Sequence, residues 1–351
     1  MLYPWQYSDW THIQELREHG LHALLLHGQA GIGKVNFACE LAQSLLCERP
    51  YNDFHACGQC AACTWFLKRN HPDFRLLCPE AMPLHVNSDN EKNICSKYVD
   101  DDDSTGLIRK KSKVQSKEIR IDQVRALLDF CNISSHRGGR RVVVLFPAET
   151  LNVTAANALL KTLEEPPPGV LFLLVSANIE HLLPTIVSRC RQWPLTMPDE
   201  SSAVEWLRSQ SVNDPAETLA EAGGAPLAAL AIAHDGYTLL KRFALKQLTA
   251  GPACDPFACG EALYKAPVPA VLGWFQRWLY DVLTIQMSSK PRYFPAHCNA
   301  LQYIAQSTTP FLVAQFLKRI TQQRAVEQHA LNGRLIVEEL FICYRRIFGK
   351  N

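Results

Sequence analysis

Between His22 and Leu41 a short apolar stretch, a glycine-rich loop ending in lysine and a second apolar-periodic stretch follow one another. His22-Ala23-Leu24-Leu25-Leu26 reads as a buried strand. Gly28-Gln29-Ala30-Gly31-Ile32-Gly33-Lys34 reads as a tight loop, and Val35 to Leu41 as the helix after it. This is the order of a phosphate-binding loop, and it calls for a parallel sheet to hold the strand. In such a loop Gly28, Gly31 and Gly33 let backbone N–H groups curl round phosphate oxygens, the helix N-terminus adds positive potential, and Lys34 reaches the terminal phosphates. The next position ordinarily supplies a Ser or Thr hydroxyl to magnesium; here it is Val35, which has no oxygen to offer. The loop therefore has the outline of a nucleotide site without its metal ligand. Weak, magnesium-independent phosphate binding stays open, but a loop kept for its fold is the better reading, because the metal's charge compensation is missing.

The rest of the chain supports that sheet. Arg75-Leu76-Leu77, Arg141 to Phe146 and Val170 to Ser176 are apolar runs of strand length, as expected for strands covered on both faces. Helices are expected between them, Gln123–Cys131 with Asp122 as cap and Ala155–Glu165 with Thr154 as cap, the second stopped by Pro166-Pro167-Pro168. A first helix is expected over Trp10–His19. Residues 1–193 thus read as an α/β domain with a parallel sheet. About 80–117, carrying Asp100 to Asp103 and Arg109-Lys110-Lys111, has no sustained apolar period and reads as a disordered surface insertion. After Pro194 the strands cease. Ala203–Leu207, Ala216–Ala222 and Leu227–Ala233, with Gly223-Gly224 as a turn, suggest a small helical domain over 194–236. Residues 237–351 read as all-α, with Trp274, Trp278, Tyr280 and Phe311 as core aromatics.

The net charge of +2 argues against a global field for nucleic acid, and the longest apolar runs are too short to cross a bilayer. The N-terminus lacks the apolar core of a signal peptide, so a cytoplasmic protein is expected. In that compartment thirteen cysteines argue for free thiols and a metal site, not disulfides. Cys57-x-x-Cys60-x-x-Cys63 follows Cys47 in a segment rich in turn residues, about 47–63. Four thiolates suit tetrahedral zinc and leave no open position, so the expected role is structural. His55 and His71 are lesser candidates as ligands, and Cys39, Cys78, Cys95, Cys131, Cys254, Cys259, Cys298 and Cys343 lack ligand spacing.

Asn157-Ala158-Leu159-Leu160-Lys161-Thr162-Leu163-Glu164-Glu165-Pro166-Pro167, with Phe172-Leu173-Leu174 and Ser188-Arg189-Cys190, resembles the clamp-loader branch of the AAA+ ATPases. Tyr3-Pro4-Trp5, the cysteine cluster, His71-Pro72-Asp73 and Ile121-Asp122-Gln123-Val124-Arg125 narrow the resemblance to one kind of bacterial subunit, over the whole chain apart from 80–117. It implies an AAA+ domain with an inserted zinc module, a helical lid (194–236) and a helical collar (237–351), which holds a pentamer together through a stretch like Ala330 to Leu340. Active members end the strand before the Asn157 helix in Asp-Glu; here those positions are Phe146 and Pro147, and Glu149 is a weak candidate for a displaced base. The lid arginine of active members falls at Leu227. The resemblance thus implies a subunit that does not hydrolyse ATP but keeps Arg189 as an arginine finger for a neighbour's ATP. Cys190 beside it reads as a small buried hydrophobe.

The implied partners are ATPase subunits of the gamma/tau type and a delta subunit in a hetero-pentamer, with sliding clamp and primer–template DNA reached through the complex. The chain itself would be a non-catalytic part of a DNA-polymerizing (nucleotidyltransferase) holoenzyme. Two other readings remain: an active AAA+ ATPase subunit, against which Val35, Phe146 and Pro147 stand, and a zinc-dependent DNA-binding module, which the near-neutral charge does not favour.

Overall fold

The computed structural model describes residues 2–15, 21–82, 116–136, 139–287, 290–326 and 333–349. It divides into two compact units, Met1–Pro198 and Asp199–Asn351.

The first unit is built on five parallel strands in the order β2-β3-β4-β1-β5: β1 Ala23–His27, β2 Phe74–Leu77, β3 Arg141–Leu145, β4 Val170–Ser176 and β5 Arg191–Pro194. Side chains alternate between faces along each strand. Leu25, Val143, Leu145, Phe172 and Leu174 share a buried core with Val124 and Leu127 of α4 (Ile121–Asn132) and Leu159 and Leu163 of α5 (Val153–Glu164). The alternate residues, Leu24, Leu26, Val142, Val144, Leu171 and Leu173, are also fully buried, and α2 (Lys34–Leu46) packs against β3 and β4. Both faces are covered, which is why these strands are continuously apolar rather than alternating.

Helix ends depart from the sequence expectation, and at two of them the capping residue changes. Helix α4 starts one residue before Asp122, with Arg120 at its N-cap, so Asp122 sits inside the first turn where its charge suits the helix dipole. Helix α5 starts at Val153, and its cap is Asn152, whose side chain accepts the Ala155 N–H at 2.8 Å; Thr154 instead donates to Asn152. The first helix, α1, runs Tyr7–Glu15 after a turn of 3₁₀ helix at Pro4–Gln6, and the rest of the stretch expected to be helical, 16–19, lies outside the described residues. Most of the 80–117 segment, residues 83–115, also lies outside them. Its described ends meet, for the Ala81 N–H donates to the Ser116 carbonyl at 2.9 Å.

All described elements of the second unit are helical. Helices α7 (Glu200–Ser209), α8 (Pro215–Glu221) and α9 (Pro226–His234) enclose a small core of Ala203, Leu207, Val212, Leu219 and Ala229. A larger core gathers α10 (Thr238–Thr249), α11 (Pro256–Leu263), α12 (Val268–Gln286), α13 (Cys298–Gln306), α14 (Pro310–Val326) and α15 (Gly333–Arg346). At its centre Trp278 donates to the Tyr344 hydroxyl at 3.0 Å, which donates on to the Leu248 carbonyl at 2.8 Å. Trp274 and Trp278 are buried as expected, but Tyr280 and Phe311 are exposed, on the outer faces of α12 and α14.

Candidate functional site

The glycine loop leaves the C-terminal end of β1 and enters α2 at Lys34. Gly33 is the hinge, with φ at +87°, a left-handed conformation that admits glycine readily. It is also tightly covered. The Trp5 indole donates to the Ile32 carbonyl at 3.0 Å, and the Gln6 amide donates to the carbonyls of Ile32 and Gly33 at 3.1 and 3.0 Å. Tyr3 stacks on Trp5 and lies so near that a Cβ on Gly33 would come within 2.6 Å of its ring. Replacing Gly33 by alanine should therefore lower stability by about 2 kcal/mol or more, from left-handed strain and overpacking together. Thermal unfolding would show it, and Tyr3→Ala should recover part of the loss.

Lys34 is turned inward, 5% exposed, with its Nζ donating to the Gln29 carbonyl of its own loop at 2.7 Å. Burial pulls its pKa down to about 8, against the opposing charge of Glu149. His27, at the end of β1, is shifted down by burial and by Lys34. Strand β3 ends at Leu145, so Phe146 and Pro147 occupy the strand tip, joined by a cis peptide bond. Glu149 follows in a 3₁₀ turn, where its Oε1 accepts the Ala177 N–H at 3.1 Å. There it acts on Lys34 as a nearby counter-charge.

Arg189 belongs to the other end of the sheet. The loop follows β1, whereas Arg189 precedes β5, and β1 and β5 run parallel with Leu24 opposite Arg191. At about 3.3 Å per residue the Arg189 backbone and the loop are separated by roughly 15–20 Å along the strands. Arg189 therefore has no access to the chain's own phosphate loop. It follows α6 (Pro184–Val187), is 31% exposed, and donates to Glu164 at the end of α5 and to the Thr185 carbonyl at 2.8 Å. Cys190 is buried, which pushes its thiol up to about 12, in keeping with a packing role. Leu227 is the second residue of α9, in the second unit.

The cysteine cluster is assembled around α3 (Ala61–Leu67). Sγ atoms of Cys47, Cys57, Cys60 and Cys63 all lie within 4.8 Å of one another, with Cys47–Cys60 and Cys57–Cys63 at 3.9 Å. Tetrahedral zinc with bonds of about 2.3 Å places its sulfurs roughly 3.8 Å apart, so the four fit that ion. Backbone N–H groups point at the sulfurs: Cys57 to Cys47, Cys60 to Cys57 and Cys63 to Cys60, at 3.3 to 3.4 Å. The backbone N–H groups of Gln59 and Cys60 hold the Cys57 thiol down to about 6, while burial raises Cys47 and Cys63. A dication would stabilise all four thiolates. His55 and His71 are not in the cluster: His55 stacks on Trp10 at 4.7 Å, and His71 Nδ1 accepts the Asp73 N–H. Among the other described cysteines none joins a metal-binding group, and Cys95 lies outside the described residues.

Sequence reasoning missed the Tyr3–Gln6 strap over the loop, the Trp10–His55 stack on the cysteine module, and Glu164 beside Arg189. None of these contacts has a spacing that announces it.

Five parallel strands with a glycine loop between β1 and α2 define a phosphate-loop α/β protein, extended by a helical unit. The family described as DNA polymerase III, delta subunit, matches residues 10–199. A DNA polymerase III subunit delta' of Pseudomonas aeruginosa is 32% identical over 99% of this chain and 98% of its own. Another from Escherichia coli is 31% identical over 92% and 84%. A solved DNA polymerase III gamma subunit-related protein of Thermotoga maritima has a TM-score of 0.43 and 16% identity, covering 98% of this chain and 100% of that one. The chain belongs to the family of DNA polymerase III delta' subunits. No described helix is long and apolar enough to cross a membrane.

Proposed function

We propose that this chain is a stator subunit of a bacterial clamp loader, one that hydrolyses no ATP itself and presents Arg189 to the ATP of an adjacent subunit. The observation that carries this reading is the position of Arg189 at the opposite end of the sheet from the loop. An arginine there can serve a nucleotide only in trans. Within the chain's own pocket Val35 offers magnesium no ligand, and Phe146 and Pro147 can neither hold a metal nor polarise water. Lys34 is satisfied by its own loop and countered by Glu149. Gly28, Gly31, Gly33 and Lys34 then serve as a fold element, with weak phosphate binding as the most they retain.

In this reading 194–236 is a lid and 237–351 a collar, supported by the separate small core of α7 to α9. The collar joins ATPase subunits of the gamma/tau type and a delta subunit in a pentamer, which places the sliding clamp on primer–template DNA in the cytoplasm. Cys47, Cys57, Cys60 and Cys63 hold structural zinc. Purified chain given magnesium-ATP should release phosphate only at background. Magnesium-dependent turnover abolished by Lys34→Ala would overturn the reading in favour of an active ATPase.

A further inference from the structure

The environment of Arg189 suggests how the finger is kept from acting early. Its Nε donates to Glu164 Oε1 at 2.5 Å, and its Nη2 bonds the same oxygen. Its Nη1 donates to the Thr185 carbonyl at 2.8 Å and to the Ser188 hydroxyl at 3.3 Å. A guanidinium acts on a phosphate through a planar fork of donors. Here one edge is committed to a carboxylate and half of the other to backbone and hydroxyl oxygens. The carboxylate also offsets the charge that a transferring phosphate would feel. Both side chains are partly exposed, Arg189 at 31% and Glu164 at 46%, so the pair can be broken by a competing anion. The two residues hang from different elements, Glu164 on the last turn of α5 and Arg189 on the turn after α6. A small shift between those elements would open the pair.

We propose that Glu164 is a positioning residue that parks Arg189 in an inactive pose until a neighbour's nucleotide draws it away. The inference rests on Arg189 being a finger, as argued under the proposed function. It makes the ion pair a brake on premature ATP hydrolysis by the loader, released when the assembled ring brings a phosphate close enough to outcompete the carboxylate.

The test uses the reconstituted loader carrying Glu164→Gln, which keeps the side chain's size and removes its charge. Steady-state ATP turnover is read with and without clamp and primed DNA. The expected result is a raised basal rate, by roughly fivefold at most, the upper end of what a partly exposed ion pair can supply. The stimulated rate should stay near wild type, so the stimulation ratio falls. A purely structural role would lower both rates together, and the melting temperature of the variant chain distinguishes that case. A basal rate that is unchanged or lower overturns the brake; a fall confined to the stimulated rate would make Glu164 an orienting partner instead. If Arg189→Ala leaves turnover intact, the finger reading itself fails, and the brake with it. If Arg189→Ala lowers turnover while Glu164→Gln raises nothing, only the brake fails.

Discussion

Arg189→Ala should remove one hydrolysis event from each loading cycle of the assembled complex. An arginine finger lowers the barrier by holding a fixed planar charge against the transferring phosphoryl group, an effect worth roughly 10³–10⁵ in rate. In the proposed assembly only the interface that this chain completes would lose it, the other ATPase interfaces being served by other subunits. Bulk turnover is therefore a blunt readout and the pre-steady-state burst a sharp one. The burst amplitude should drop by the equivalent of one site per complex, with clamp loading falling alongside. Arg189→Lys should not restore it, since an ammonium is a point charge without the fork. An unchanged burst would mean that the guanidinium does no more than pair with Glu164 on the surface.

Loss of the metal should have the second large effect. Structural zinc in small modules contributes apparent binding energy on the order of 10 kcal/mol or more, comparable to the whole stability of a domain. The 47–63 segment has little apolar core of its own; Ala62 and Cys63 are its buried residues, with Phe66 just beyond it in α3. Cys57→Ser should therefore bring zinc content well below one per chain and unfold the module locally. The damage should reach α1, because the Trp10 indole donates to the Asp53 carbonyl at 3.1 Å and its ring stacks on His55. Metal analysis and Trp10 fluorescence would follow both events. Acid should act in the same direction. The Cys57 thiol lies below its ordinary value of 9.0, at about 6. Protons compete with the ion for all four thiolates, so zinc should be released, and the module weakened, as the pH is lowered.

The residues that declared themselves in the sequence are those whose local pattern is also their tertiary role. β1, the loop and α2 were legible because burial on both faces makes a strand uniformly apolar and because the turn needs its glycines. β4 was legible for the same reason. β5 was not: Arg191-Gln192-Trp193-Pro194 is a sheet-edge strand, mostly exposed, and pairs only with β1. α11 and α13 fall within the stretch read as all-α but had no bounds of their own there, because each is short and begins beside a proline-containing turn. Tyr280 and Phe311 fall at helical spacing yet face outward, since periodicity locates a stripe without saying whether a neighbour covers it. At the site, the four cysteines were readable because a metal dictates their spacing. Glu164 was not, because its partner lies 25 residues away on another element and no periodicity connects them.

In the proposed function the working chemistry of this chain lies at Arg189 and not at its own loop. A side-by-side measurement of the pre-steady-state burst of ATP turnover by the reconstituted loader, carrying either Arg189→Ala or Lys34→Ala, tests it directly. A burst reduced by Arg189→Ala and preserved by Lys34→Ala is the predicted result. A burst indifferent to Arg189→Ala and lost with Lys34→Ala would contradict the account.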